Sequence, residues 1–330
     1  MYKLVFISML FFNCPVLGQQ GYVYTVNGKI AVKELKFSLT HEHIMSNFGA
    51  APAAVSEYDT TALFAQVIPY LKTIKSQGIN SIFDCTGAYF GRNAMLLKAI
   101  ADSTGLHIIT NTGYYGASND QYVPDFVKSS TAEAIAAIWI AEFEKGIDNS
   151  GIKPGFIKLA FDDGVPSEID IKLFKAGIIT HLKTGLTIVA HIGNNAEAAA
   201  MQMRLLKENK VQLSAWVWAH ANNIKDNEVL ARAAADGAWI SLDGVKTSNI
   251  DEYINRLNFF KERKLLNKIL LSHDGNSFPR GNAIRPYHAI TKDLLPAMRN
   301  AGFTTMDIEQ TLIQNPANAF CISIKNDIKK

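Results

Sequence analysis

Short apolar runs alternate along the chain with longer amphipathic stretches. Runs at residues 35–43, 81–85, 107–112, 156–160, 187–191, 215–220, 238–243 and 269–274 predict eight strands. Helical periodicity at 62–76, 93–103, 131–145, 169–183, 196–208, 227–235 and 250–263 fills the gaps between them, and 287–300 and 305–313 follow the last. Near-continuous apolar strands between helices imply a parallel sheet covered on both faces. Right-handed crossovers then allow an open doubly wound sheet or a closed barrel. Eight strands in unbroken alternation favour the closed form, a (β/α)8 TIM barrel of the α/β class. No GxGxxG follows the first strand, which weakens a dinucleotide-binding sheet. Residues 22–32, with Asn27-Gly28 at the centre, predict a β-hairpin ahead of the barrel.

Composition changes this picture only at the N-terminus. A hydrophobic share of 48% and a charged share of 19% suit a soluble domain with a large core. The net charge of +3 is thinly spread and forms no basic stripe, so nothing points to nucleic acid. Lys3 is followed by an apolar run from Leu4 to Phe12 and by small or apolar residues to Gly18. Residues 1–18 therefore read as a signal peptide, too short for a membrane span; a buried N-terminal strand is the alternative. The expected product is a secreted or periplasmic chain beginning near Gln19, with residues 19–330 forming the barrel domain. Cys14 falls in the leader, and Cys85 and Cys321 are expected to be unpaired thiols. Homodimerisation stays open.

Candidate chemistry gathers at the predicted strand ends. His41 and His43 end the first strand, His191 the fifth, His220 the sixth and Asp274 the eighth. A parallel barrel points all these ends to the face where such barrels place active sites. Residues two apart on a strand share a side, so His41 and His43 can aim at one point while Glu42 turns away. Imidazole and carboxylate ligands suit zinc and its first-row neighbours, among them manganese, cobalt and iron. Lys158 lies within the apolar fourth strand. A buried ammonium is costly, and a neutral amine can take up carbon dioxide as a carbamate, whose two oxygens can bridge two cations. Two divalent metals would activate a shared water and polarise the substrate oxygen. His107, His181, His273 and His288 read as satisfied core histidines.

The chain resembles the phosphotriesterase family of the amidohydrolase superfamily over nearly all of residues 19–330. The likeness is carried by Thr40-His41-Glu42-His43, Asp84-Cys85-Thr86 with Gly91-Arg92, and Asn111-Thr112-Gly113-Tyr114-Tyr115. It continues through Lys153-Pro154-Gly155-Phe156-Ile157-Lys158, Ala190-His191, Ala219-His220, Leu271-Ser272-His273-Asp274 and Asn315-Pro316-Ala317. The resemblance implies that His41, His43 and Asp274 bind the more buried metal and His191 and His220 the more exposed one. It implies that carboxylated Lys158 bridges them, that Asp274 accepts a proton from a bridging hydroxide, and that Tyr115 lies near the substrate oxygen.

Two positions depart from that pattern. The family usually places acidic residues after the second exposed-metal histidine; here the run is His220-Ala221-Asn222-Asn223. A histidine or arginine often follows the aspartate that ends strand seven; here Asp243 precedes Gly244. The metal ligands look intact and the outer proton relay does not, which weighs against organophosphate and typical acyl-homoserine lactone hydrolysis. The expected activity is cleavage of a carboxylic ester or lactone by a metal-bridging hydroxide. Phosphotriester hydrolysis is the alternative enzyme reading, and a metal-binding barrel without turnover is the alternative of another class. Arg280 and Arg285, in the loop after strand eight, read as solvent-exposed charges or as contacts to an anionic substrate.

Overall fold

The computed structural model describes residues 21–53, 56–280 and 283–327. The expected leader at residues 1–18 lies outside them. A hairpin of β1 (Tyr22–Thr25) and β2 (Gly28–Ala31) comes first. Thr25 pairs with Gly28, so Val26 and Asn27 make the connection. Gly28, at φ 107°, takes the backbone region that favours glycine. The turn thus sits one residue earlier than a central Asn-Gly would place it.

The barrel follows, with β3 (Ser38–His43), β4 (Ser81–Asp84), β5 (His107–Ile109), β6 (Asn111–Thr112), β7 (Phe156–Phe161), β8 (Ile188–Ile192), β9 (Trp216–Ala219), β10 (Trp239–Leu242), β11 (Ile269–Leu271) and β12 (Gly275–Asn276). All pairings among them are parallel. The third predicted strand is split into β5 and β6; the eighth stops after β11, and the ladder resumes as β12 just past its predicted end. Each fragment pairs on one side only. β5 joins β4 while β6 joins β7, and β11 joins β10 while β12 joins β3. Taken with the chain continuity through each break, these pairings close an eight-stranded ring.

Crossover helices cover the outside: α1 (Thr60–Ser76), α2 (Ala94–Thr104), α3 (Phe126–Ser129), α4 (Ala132–Lys145), α5 (Glu168–Thr184), α6 (Ala196–Glu208), α7 (Asn227–Ala235) and α8 (Ile250–Glu262). The long ones start at side-chain caps such as Asp59, Asn93, Thr131 and Ser167. The predicted terminal helices are interrupted by π-helical turns at Ile290–Leu294 and Gln310–Gln314, which lead into α9 (Leu295–Asn300) and α11 (Asn315–Phe320); α10 (Thr305–Glu309) precedes the second turn.

Two apolar layers record the period-2 alternation of the strands. Ile157, Leu159, Ile188, Ala190, Trp216, Trp218, Ile240 and Leu242 join the layer beneath the helices. Phe83, Ile109, Phe156, Val189, Val217 and Leu270 fill the interior. The strand parity shared with Phe156, Val189 and Trp239 carries Lys158, His191 and Asp243 to the inner side. Among the described residues no helix is long and apolar enough to cross a membrane, and no disulfide joins Cys85, which is buried, to Cys321, which is half-buried.

Candidate metal centre

His41 and His43 reach the barrel mouth because β3 is irregular. Leu39 lies in the outer layer, and strict alternation would send His41 and His43 the same way. A register shift between Leu39 and Glu42 resets the parity. The two imidazoles then converge on the Asp274 carboxylate, with His41 Nε2 3.6 Å and His43 Nε2 3.3 Å from Oδ1. These three side chains form one group able to hold a cation. Lys158 Nζ lies 3.3 Å from His41 Nε2. The His191 ring packs edge-on against His220 at 4.1 Å, and the His220 ring lies 4.8 Å from that of His41. All six predicted ligands are therefore in one cluster.

The other nitrogen of each first-strand histidine is occupied. His43 Nδ1 pairs with the Thr86 hydroxyl at 2.8 Å, and His41 Nδ1 donates to Asp243 Oδ2 at 2.6 Å. Asp243 also meets His220 Nδ1 at 3.0 Å and accepts the His220 backbone N–H. His41, His220 and Asp243 form a second three-residue group by proximity. We read it as a hydrogen-bonded support, because Asp243 contacts Nδ1 of both rings at hydrogen-bond length. That arrangement fixes the tautomer and leaves Nε2 for a metal, as outer carboxylates do around metal-bound histidines. Sequence reasoning gave Asp243 no role beyond ending strand seven. Its signal was present, since it is one more carboxylate at a barrel-strand end.

The electrostatics suit cation ligands. Burial, reinforced by the Lys158 charge, pushes the His41 imidazole down to about 3. Burial also lowers His43, and lowers His191 well below the ordinary value. These rings are neutral near pH 7 and keep a lone pair. His220 differs: burial opposes its protonation, but Asp243 outweighs burial and raises it. Burial would raise Asp243 and Asp274 too, yet the surrounding imidazoles overcome it and hold both carboxyls well below the usual range.

Lys158 decides whether the set fits a binuclear centre. It is 1% exposed, and among the described residues no carboxylate pairs with it. An uncompensated buried ammonium among imidazoles is a poor arrangement. An amine converted to an anionic carbamate, with cations beside it, is a good one. The donor set of four imidazoles, one carboxylate and this lysine fits two divalent metals.

Tyr115 stacks on Phe90 at 4.4 Å and meets His191 edge-on at 5.6 Å. Its hydroxyl has no hydrogen bond among the described residues. Burial raises this phenol, with the Asp274 charge adding to the effect. Of the histidines read as core residues, His181 and His273 are buried with both ring nitrogens bonded, to Leu186 O and Lys325 N and to Glu42 and Ile290 N. His107 is half-buried. His288, like His273, lines a cavity of about 660 Å³ that opens above His191, His220 and Asp274. Arg285 lines it too, and its Nη1 lies 2.9 Å from Asp274 Oδ2. Arg280 turns away and donates to Glu57 O at 3.1 Å.

The missing relay has a structural reason. A Cβ at Gly244 would lie 2.7 Å from Asn222 Nδ2 and 3.1 Å from Tyr253 Oη. Both neighbours are engaged, because Asn222 Oδ1 accepts from Asp243 N–H and Tyr253 Oη from Gly244 N–H. An amide and a phenol occupy the space that a histidine or arginine side chain would need.

A closed parallel barrel with histidines, a carboxylate and a buried lysine at its C-terminal mouth belongs to the metal-dependent hydrolase class. The profile of the Phosphotriesterase family matches residues 21–320, and the chain belongs to that family. It is 27% identical over 292 residues to a Phosphotriesterase homology protein of Escherichia coli K12, covering 86% of this chain and 97% of that protein. It is 24% identical to an N-acetyltaurine hydrolase of Danio rerio, covering 90% and 97%. An organophosphorus hydrolase of Deinococcus radiodurans superposes with a TM-score of 0.84 at 23% identity, covering 93% of this chain and all of that one. The chain is thus a hydrolase of this family, and the last likeness speaks for the fold.

Proposed function

We propose that this protein hydrolyses a carboxylic ester or lactone at a binuclear metal centre held by His41, His43, Lys158, His191, His220 and Asp274. The observation that carries the reading is buried Lys158, without an acidic partner among the described residues, 3.3 Å from a histidine that also approaches Asp274. Two divalent cations, most simply zinc, would lower the pKa of a shared water and polarise the substrate's carbonyl oxygen. The chain's own groups do the rest. Asp243 holds His41 and His220 in the ligating tautomer. Asp274, kept ionised by its imidazole neighbours, takes the proton of the attacking water. The Tyr115 hydroxyl donates to the carbonyl oxygen. The leaving alkoxide takes its proton from Asp274 or from solvent, since Asn222, Asn223 and Gly244 offer no acidic relay.

A carbonyl rather than phosphoryl substrate is supported by that lost relay and by a relative named for an N-acetyl compound. Phosphotriester cleavage is the second reading, supported by the family. Catalytic efficiencies on a lactone and ester panel and on a paraoxon-type triester separate the two. Metal analysis tests the centre itself. Wild type purified without chelator is expected to hold about two equivalents per chain, and Lys158→Ala fewer than one. At most one equivalent in wild type, after adding metal and bicarbonate, defeats the binuclear reading. Turnover that survives Asp274→Asn removes its role as proton acceptor.

A further inference from the structure

The cavity above the cluster has an uneven charge. Lys246, in the loop after β10, and Arg285, in the loop after β12, both line it, beside the hydroxyls of Thr247 and Ser248. Among the described residues, the carboxylates that line it are Asp243 and Asp274, at the end that holds the metal ligands. Asp243 is spent on two histidines, and Asp274 offers Oδ1 to the histidines and Oδ2 to Arg285. Asp293, the nearby acid behind this wall, accepts from the Thr247 hydroxyl at 2.7 Å. The Lys246 ammonium has no partner among the described residues. The Arg285 side chain is 43% exposed, and only Nη1 of its five-donor fork is used on Asp274. Two basic side chains therefore line one cavity whose two carboxylates are both already engaged. The volume of about 660 Å³ suits a small organic molecule.

We propose that this wall is a subsite for a substrate carboxylate, held by Lys246 and Arg285 while the scissile bond lies over the metal ligands. The inference rests on the proposed ester or lactone hydrolysis and names the substrate class that the site would take: an ester or lactone bearing a remote carboxylate. Arg285 keeps Asp274 oriented with one nitrogen and presents its remaining donors to the substrate, and Lys246 supplies the second charge.

The test uses zinc-reconstituted protein and two stable ligands, glutarate and its monomethyl ester, titrated calorimetrically. One carboxylate of each can occupy the metal side, and only glutarate brings a second to the wall. Wild type is expected to bind glutarate about tenfold more tightly than the ester, the scale of one charged hydrogen-bonding contact. Lys246→Gln is expected to bring the two within about twofold. Lys145→Gln, an exposed lysine ending α4, removes the same net charge and is expected to keep the preference. Equal affinities in wild type, or a preference retained in Lys246→Gln, overturn the subsite. A preserved preference in a protein that turns over no ester or lactone defeats the proposed ester or lactone activity and leaves the subsite standing. Turnover of neutral esters without any preference does the reverse.

Discussion

Asp84, the last residue of β4, and Asp243, directly after β10, are both fully buried carboxyls at barrel-strand ends, yet their surroundings drive them in opposite directions. Asp243 sits between two imidazoles and stays ionised. Asp84 is buried, and burial pushes its carboxyl up to about 7 against the help of hydrogen bonds from Ile44 N–H and Thr86. Its Oδ2 has no partner among the described residues. A carboxyl raised on folding binds its proton more tightly in the native state than in the unfolded chain. Its stabilising contribution is therefore complete below the unfolded value of 3.8 and is lost as pH rises through about 7. Asp84→Asn removes the ionisation and keeps an oxygen for Ile44 N–H. The variant is expected to gain on wild type, on the order of 1–3 kcal/mol at pH 8, with the gap narrowing towards pH 4. Denaturant unfolding at both pH values reads this directly. A gap that does not change with pH would mean that Asp84 is already ionised, or already neutral, across the range.

At the scale of elements, the break between β11 and β12 is what presents Asp274. Residues 272–274 leave the strand, and Asp274 adopts φ 51°, a region that costs a non-glycine residue energy. Glu42, turned outward by the same register shift that turns His41 and His43 inward, holds the break in place. It accepts from Ser272 Oγ, His273 N–H, His273 Nδ1 and Gly275 N–H. The Ser272 hydroxyl in turn accepts from His41 N–H, so the element carrying two ligands and the element carrying the third are locked together. Glu42→Gln replaces a carboxylate with four donors by an amide with one acceptor oxygen. We expect a loss of about 2–4 kcal/mol together with weaker metal retention in a chelator competition. A variant that loses stability while retaining metal as tightly as wild type would show that the clamp does not set the geometry of Asp274. The eight strands were legible because apolar runs are a local signal, and the six clustered residues because each lies in or at the end of such a run; the register shift that turns His41 and His43 inward was not legible. The break in strand eight was not legible, since an apolar run reports burial and says nothing of where a ladder stops. The Asp243–His41 contact spans 202 positions, and no local pattern encodes it. Arg92 shows a further limit: it belongs to a motif of the family resemblance, yet its guanidinium is buried against Glu142 and Asn111 O, tying β6 to α4.

At the scale of the whole molecule, the ligand cluster occupies one end of the barrel and the N-terminal hairpin seals the other. Val23 is fully buried in the same interior cluster as Phe83, Ile109, Phe156 and Phe320. Backbone bonds from Val26 N–H to Ile108 O and from Ile322 N–H to Tyr22 O tie the hairpin to β5 and to the C-terminal segment. The close fit is written into Gly155, where a Cβ would lie 2.6 Å from Tyr24 O. The hairpin is thus part of the barrel core, whereas the proposed leader ends before it. Cleavage after Gly18 would leave every one of these contacts intact, which makes the export reading and the fold compatible. Two predictions separate leader from core. Protein recovered from the exported fraction of an expressing host should show an intact mass that begins near Gln19, and a retained Met1 would sink the export reading. A chain starting at Lys33 should lose at least the burial of Val23 and its neighbours, about 1.5–3 kcal/mol per large side chain, and should unfold at markedly lower denaturant than a chain starting at Gln19. The metal ligands lie at the opposite end of the strands, so the shortened chain is expected to lose stability in proportion to its exposed core while any folded fraction keeps its metal. Equal unfolding midpoints for the two chains would show that the hairpin covers the barrel floor without supporting it.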